Sequence, residues 1–279
     1  MRYKTLAAAV LIASGLSSGA AHASTITVTW DPAASPNGPG LSSTVNSITQ
    51  NNQVISDFSM TVINPTTGAF TDTGYLPITE FQLNGAHVAG GGISSNYSLY
   101  YQYTATGNFY TSSGAAGFNP NGIDTATFSG LTYSLVGANG SAAFSFPNPT
   151  SNPTVSGIGS PITLATGVLD PAGGSTGSVA SGLPSAQVYA TFSPVNSESG
   201  FFIAPPVSGY VGLSLDSAFT NTSSVVKFTA SGGDYYLEVN GGGGDANFAV
   251  PEPNSLIVLG SGLLCLGMIL RRANKIGQH

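Results

Sequence analysis

Cysteine is almost absent: the 279 residues hold one, Cys265, set in an apolar stretch near the C-terminus. No intrachain disulfide can form, so a folded body must stand on an ordinary core. Histidine is nearly as scarce, and His87 alone of the three lies between Ser24 and Pro253. Zinc centres built from Cys and His, haem ligation and Cys/His nucleophile pairs therefore lack their ligands or bases there. A Ser/His87/Asp arrangement is the one such set left, and no local motif supports it. Charge is the third shortage. Between Ser24 and Pro253 Lys227 stands alone against all twelve acidic residues, a formal net charge of −11. Without Lys/Arg clusters to displace counterions from phosphates, no nucleic-acid partner is expected. No motif calls for a cofactor or a metal: Gly241 to Gly244 lacks the Lys-Ser/Thr ending of a phosphate loop, and the acids form no calcium-loop ladder. The glycine run reads instead as a flexible turn.

What is present begins at the N-terminus. Arg2 and Lys4 precede an apolar run, residues 6–16, and Ala21-His22-Ala23 has the small-x-small form that signal peptidase reads. Residues 1–23 are read as a helical signal peptide cut between Ala23 and Ser24, with export of the remaining chain.

The exported segment, residues 24–249, is dominated by Gly, Ser, Thr, Asn, Ala and aromatics, with no charged outer face for long amphipathic helices. Period-two alternation recurs. In residues 96–104, Tyr97, Leu99, Tyr101 and Tyr103 share one face, while Ser98, Tyr100, Gln102 and Thr104 share the other. In residues 54–63, Val54, Phe58, Met60 and Val62 make one apolar face, and Ile55 stands among polar residues on the other. Strands are also expected over 25–30, 125–136 with a break at Gly130, 210–215, 225–230 and 235–239, the last two joined by a Ser231-Gly232-Gly233-Asp234 hairpin turn. Turn-rich stretches cover 31–40, 119–122, 146–161 and 170–184. The expectation is an all-β body, a single antiparallel sandwich of jelly-roll type.

Twelve scattered acids single out no catalytic pair. Asp124, Asp170, Asp216 and Asp234 fall at strand ends or turns, where Asp serves local hydrogen bonding. The aromatic row of Tyr97, Tyr100, Tyr101 and Tyr103 offers a glycan-stacking surface, because a Tyr ring is apolar on its face and polar at its tip. The competing reading is that Tyr is simply a good strand former. His87, just after Asn84-Gly85-Ala86, is expected to face solvent.

At the other end Pro251-Glu252-Pro253 is followed by an apolar run, residues 256–270, and then Arg271, Arg272 and Lys275. Fifteen apolar residues fall short of the ~20 that span a bilayer. Snorkelling of Arg271 extends the reach, and the basic cluster belongs on the cytoplasmic side. This ordered trio, residues 250–275, resembles the PEP-CTERM sorting signal of Gram-negative, exopolysaccharide-producing bacteria. The resemblance implies an inner-membrane intermediate anchored by a transmembrane helix, recognition by an exosortase, and delivery of the body to the cell surface or extracellular matrix. The body also resembles flocculation-associated PEP-CTERM proteins in the blocks at 75–81, 84–85, 97–100, 217–222 and 239–248, with Phe201-Phe202 and Pro205-Pro206 in the same pattern. That second resemblance implies a non-enzymatic role in floc formation together with exopolysaccharide. The alternative is an exported lectin or a carboxylate-dependent glycoside-active enzyme. The intact mass of exported protein should correspond to a chain that starts at Ser24 and lacks residues 256–270; a mass that retains the apolar run would mean a permanent anchor.

Overall fold

A computed structural model describes residues 26–34, 40–170, 174–180, 183–195, 200–205 and 225–249, together with the backbone of Ser214–Thr220. All of them fall in one compact unit, Thr25–Val250. The expected signal helix and tail helix, and residues 210–213 of an expected strand, lie outside the described residues.

Among the described residues no helix occurs, and the backbone is built of strands. Eight of them form the frame: β3 (Asn52–Ile63), β4 (Ala69–Leu83), β6 (Tyr97–Tyr110), β7 (Ile123–Ser145), β10 (Thr176–Ala180), β11 (Leu183–Thr191), β14 (Ser214–Thr220) and β16 (Asp234–Ala249). Each pairs antiparallel with the next, β7 with β10 included, and one further ladder, between β16 and β3, closes the set. β16 pairs with β3 from Tyr235↔Ile63 to Asn247↔Asn52, and β10 pairs with β7 from Thr176↔Thr127 to Ala180↔Ile123. The result is a ring without free edges along its frame. The all-β, antiparallel expectation holds. The jelly-roll connectivity does not, because ring neighbours are consecutive ring strands in the chain, a meander, with only β16 and β3 joining distant segments.

The remaining strands decorate or plug this ring. β5 (Ala86–Val88) extends β4 across an Asn84-Gly85 turn, where φ is 53° and 79°. Positive φ at both central residues is what a two-residue hairpin of right-handed twist requires. Gly232 and Gly233, at 64° and 93°, turn β15 (Val226–Ser231) into β16 in the same way, as the sequence led us to expect. β8 (Thr154–Ile158) folds back on the far end of β7, and β9 (Ile162–Val168) pairs with its middle. The proline-rich segment 146–161 is thus a loop followed by a strand. β12 (Ser193–Pro194) pairs with β9. β1 (Val28–Trp30), β2 (Ile48–Gln50) and β13 (Phe202–Ala204) make a separate three-stranded sheet.

That small sheet brings Trp30 into one pole of the ring. Its ring packs against Phe201, Phe248, Phe202 and Phe81 at centroid distances of 5.4, 5.8, 5.9 and 6.1 Å. All five side chains are buried, and edge-to-face pairs add to the area they bury. At the opposite pole Ile63, Phe70, Phe109, Phe118, Val179 and Leu237 form a second cluster. Large apolar side chains thus pack both ends of the ring.

Two local expectations are reversed. β3 does cover its apolar face, Met60 fully and Val54, Phe58 and Val62 in part, yet on the outside of the ring, while Gln53, Ile55, Asp57, Ser59, Thr61 and Ile63 are the alternate residues buried toward the interior. Val54, Phe58, Met60 and Val62 face outward. The β7–β8 hairpin explains this, since it lays Phe144 over the outer wall, stacked 5.2 Å from Phe58 and 5.4 Å from Tyr75. Alternation reveals two faces but not which one finds a cover. The second reversal concerns Gly241 to Gly244, which is no flexible turn: it lies inside β16, with a bulge between Asn240 and Gly242. Gly242, Gly243 and Gly244 pair with β3, Gly243 and Gly244 pair with β14 as well, and Gly241 takes the bulge at φ 85°. Thr125 to Val136 continues through Gly130 as part of β7, with a register shift on its β6 partner between Thr106 and Gly107.

Inside the ring, aromatic residues face glycine across the strands. Phe70 is paired with Gly107, Tyr103 with Gly74, and Tyr133 with Gly167. A Cβ on Gly107 would stand 2.6 Å from the Phe70 ring, and one on Gly167 2.3 Å from the Tyr133 ring. Each ring lies where the missing side chain would be. Gly107→Ala and Gly167→Ala should each destabilise the body by about 1–3 kcal/mol, the usual cost of overpacking. Gly159→Ala, whose Cβ would meet an ordinary contact at 3.5 Å, should be near neutral in the same denaturant titration.

Candidate functional site: a lumen and a sorting tail

Between the two poles the ring encloses a cavity of about 120 Å³. Most of its wall is apolar, contributed by residues such as Phe70, Leu76, Phe109, Leu131, Val179 and Leu237. One sector is polar: Asp57, Ser59 and Thr61 from β3, Asp72 from β4 and Tyr103 from β6. The ladders set these side by side, since Thr61 pairs with Asp72, and Gly74 pairs with both Ser59 and Tyr103. An eight-stranded ring leaves room for side chains or for one small ligand.

The polar sector is bonded within itself. Tyr103 donates its hydroxyl hydrogen to Asp72 Oδ2 at 3.0 Å. Asp72 Oδ1 is buried and has no hydrogen-bond partner. Burial pushes the Asp72 carboxyl up from the usual 3.8 to about 6, offset in part by the Tyr103 and Thr61 hydroxyls and the Thr73 amide. Thr61 and Thr73 lie close enough to act on the charge, but neither completes a bond to Oδ1. The Tyr103 hydroxyl is held well above its ordinary range by burial and by the charges of Asp72 and Asp57.

The tyrosine row takes another place than the exposed surface expected of it. Tyr97, Tyr100 and Tyr101 are buried, and Tyr103 lines the lumen. Tyr97 donates to the Gly90 carbonyl, and Tyr101 donates to Gln53 Oε1 at 2.7 Å. Tyr100 faces the outer wall but is covered by Tyr75 and Phe144, at 5.8 and 5.6 Å. No ring of this row stands open for stacking on a sugar. Strand propensity and core packing are what place tyrosine here.

The acids noted in the sequence are scattered by the fold. Asp124 is buried and caps a local turn, accepting from the Asn119 amide at 2.6 Å. Asp170 follows β9, Asp216 lies on β14, and Asp234 opens β16 at its hairpin. Asp245, near the other end of β16, accepts from Asn52 Nδ2 at 3.2 Å. Among the described residues no three His, Cys, Asp or Glu side chains gather as a metal site. His87 is exposed, with Nδ1 3.5 Å from Glu80 Oε1. Sequence reasoning missed Asp57 and Asp72. Their signal was parity: Asp57, Ser59 and Thr61 alternate in step with Ile55 and Ile63, and Asp72 with Phe70 and Leu76.

The outer wall over β4, β6 and β7 is hydroxyl-rich and uncharged. Thr73, Thr104 and Thr132 sit in one cross-strand row, and Thr71 pairs with Thr106 in the next. Thr71, Thr104, Thr106 and Thr132 are exposed, as are Gln102, Thr125, Thr127 and Ser129.

The body thus defines a class: an acidic, cysteine-free antiparallel β-ring whose last strand, β16, ends at Ala249. Its destination is written in the C-terminal segment. Residues 249–273 match the PEP-CTERM protein-sorting motif, so the chain carries that motif beginning at the final residue of β16. It is the mark of an exosortase-targeted exported protein that travels through a membrane-anchored intermediate to the cell surface. No curated protein and no solved structure was found to match the chain. Pro251, Glu252, Pro253, Arg271, Arg272 and Lys275, like Ala21, Ala23 and Ser24 at the signal cleavage point, lie outside the described residues.

The buried carboxyl gives a signed pH dependence. A carboxyl whose folded value is raised from 3.8 to about 6 adds stability below pH ~4 and loses it as pH climbs through ~6. Asp72→Asn removes that proton exchange. Relative to wild type, the variant should gain on the order of 1–3 kcal/mol between pH 4 and pH 7.5, read from paired chemical denaturation curves.

Proposed function

We propose that this protein is delivered through its sorting motif to the cell surface and the surrounding matrix, where it promotes cell aggregation into flocs with exopolysaccharide. The observation that carries the reading is the motif at residues 249–273, joined without a spacer to a cysteine-free β body. An exosortase and signal peptidase are then its processing partners and the inner membrane its transient station. The body is the cargo.

The outer wall supports the polysaccharide half of this reading. Neutral hydroxyls and amides on a regular sheet offer hydrogen bonds to sugar hydroxyls with little desolvation of charge. With the tyrosine row buried, recognition falls to the Thr71, Thr73, Thr104, Thr106 and Thr132 rows rather than to stacking. The role is non-enzymatic on this view. A lectin acting through the same wall is the nearest alternative, and it differs in binding glycan without driving aggregation. The lumen favours neither a lectin nor a glycoside-active enzyme. At about 120 Å³ and largely apolar, it suits no polysaccharide chain.

Two measurements test the reading. Deleting residues 251–279 should abolish surface display and floc formation while leaving the body's denaturation profile within experimental error; unchanged flocs would refute the sorting role. Replacing Thr104 and Thr106 by Glu should weaken sedimentation with the cells' own polysaccharide by about ten-fold or more, since each introduces a charge that must be desolvated. Equal sedimentation would remove this wall from the proposal.

A further inference from the structure

We propose that the lumen is a binding site for a small organic ammonium ion with an apolar body, its charged nitrogen seated at the Asp72 and Asp57 carboxyls. Nothing in the export or aggregation reading requires such a site.

Much of the wall's hydrogen-bonding capacity is already spent. Tyr101 and Tyr133 give their hydroxyl hydrogens to Gln53 Oε1 and the Thr191 carbonyl, both at 2.7 Å. Ser178 and Ser185 bond to each other at 2.9 Å. Asp72 Oδ1, in contrast, is a buried acceptor that no protein donor reaches. Leaving such an atom unpaired costs more than an average hydrogen bond contributes. What is missing is a donor.

Charge narrows the kind of donor. Two carboxyl residues line the lumen and no Lys, Arg or His does. Lys227, the one basic residue between Ser24 and Pro253, sits on β15 in register with Glu238, away from this wall. A cation entering this low-dielectric space would face two acids and no basic side chain in the wall, and charge-assisted bonds there are the strong ones. Anions are repelled, and a neutral alcohol supplies a weaker donor. Aromatic rings on the wall, Phe70, Phe109, Tyr101 and Tyr133 among them, add attraction for an ammonium ion.

Size and polarity fix the rest of the ligand. A cavity of 120 Å³ is somewhat below the ~150 Å³ space that accepts the six heavy atoms of benzene, so about five heavy atoms fit. With the carboxyls confined to β3 and β4, and Ser178 and Ser185 bonded to each other, the remainder of the ligand meets a mostly apolar wall. A four-membered cycloalkyl amine has this size and division.

The full chain, purified in a mild detergent, is titrated at neutral pH with cyclobutylamine and, in parallel, with its uncharged isostere cyclobutanol. Binding heat and melting temperature are followed. The amine should bind about ten-fold or more tighter than the alcohol, and Asp72→Asn should remove most of that difference while altering the alcohol's affinity by less than about two-fold. Because a lumen variant can fail to fold, Ala186→Leu supplies a second arm. It fills the cavity from β11, across the ring from β4, and should abolish amine binding. Equal affinity for the two compounds overturns the proposal. So does binding of neither, which would leave water as the lumen's occupant, and so does amine binding that survives Asp72→Asn or Ala186→Leu intact.

Discussion

The ladder between β16 and β3 is the constraint on which the rest of the body depends. It joins residues near position 240 to residues near position 58, across almost the whole folded segment. Without it the strands would form an open meander with two exposed edges, each a template for unwanted pairing. With it, and with the five residue pairs of β10 on β7, the frame becomes a ring. Closure also fixes register. A slip by one residue along β3 would turn Asp57, Ser59 and Thr61 outward and drive Phe58 and Met60 into the lumen.

Once the ring is closed, its two ends and its waist have different physical problems. The ends must be kept from water, and aromatic residues do this: Trp30 with four phenylalanines at one pole, and Phe70, Phe109 and Phe118 at the other. The waist is too narrow for a large side chain from every strand. Glycine opposite an aromatic ring relieves that crowding at Gly107 and Gly167, and the space left over is the lumen. Polar residues facing a core are costly unless bonded. Here Tyr103 satisfies one oxygen of Asp72 and leaves the other buried without a protein donor.

The inverted faces of β3 belong to the same logic. An apolar outer face on a solvent-exposed ring invites association. The extension of β7 beyond the ring, with β8, folds Phe144 back over Phe58, Tyr75 and Tyr100 and covers it. The rest of the outer wall is left to threonine, serine and glutamine. That division suits an exported body with few charges, since solubility then rests on hydroxyl groups and on a net negative charge.

How much of this could be read beforehand depends on range. The strand character of residues 54–63, 96–104 and 125–136 was legible because period-two alternation is local, and so were both Gly-bearing hairpin turns. β10 was not legible: Thr176, Gly177, Ser178, Val179 and Ala180 carry little strand signal, and the segment read as turn. Its identity comes from its partners. Asp57 and Asp72, fifteen residues apart in a sequence poor in acids, became one polar sector only when the β3–β4 ladder set Thr61 beside Asp72. The sorting motif lies at the opposite extreme, since a linear signal is read by residue order and needs no fold. By itself, then, the sequence determined the address, the exclusion of an intrachain disulfide, and the β class. Tertiary structure alone decided which face of each strand met the core, and hence that the tyrosine row would be interior and a pair of unremarked acids would line a cavity. Alternation specifies two faces, and only closure and cover tell them apart.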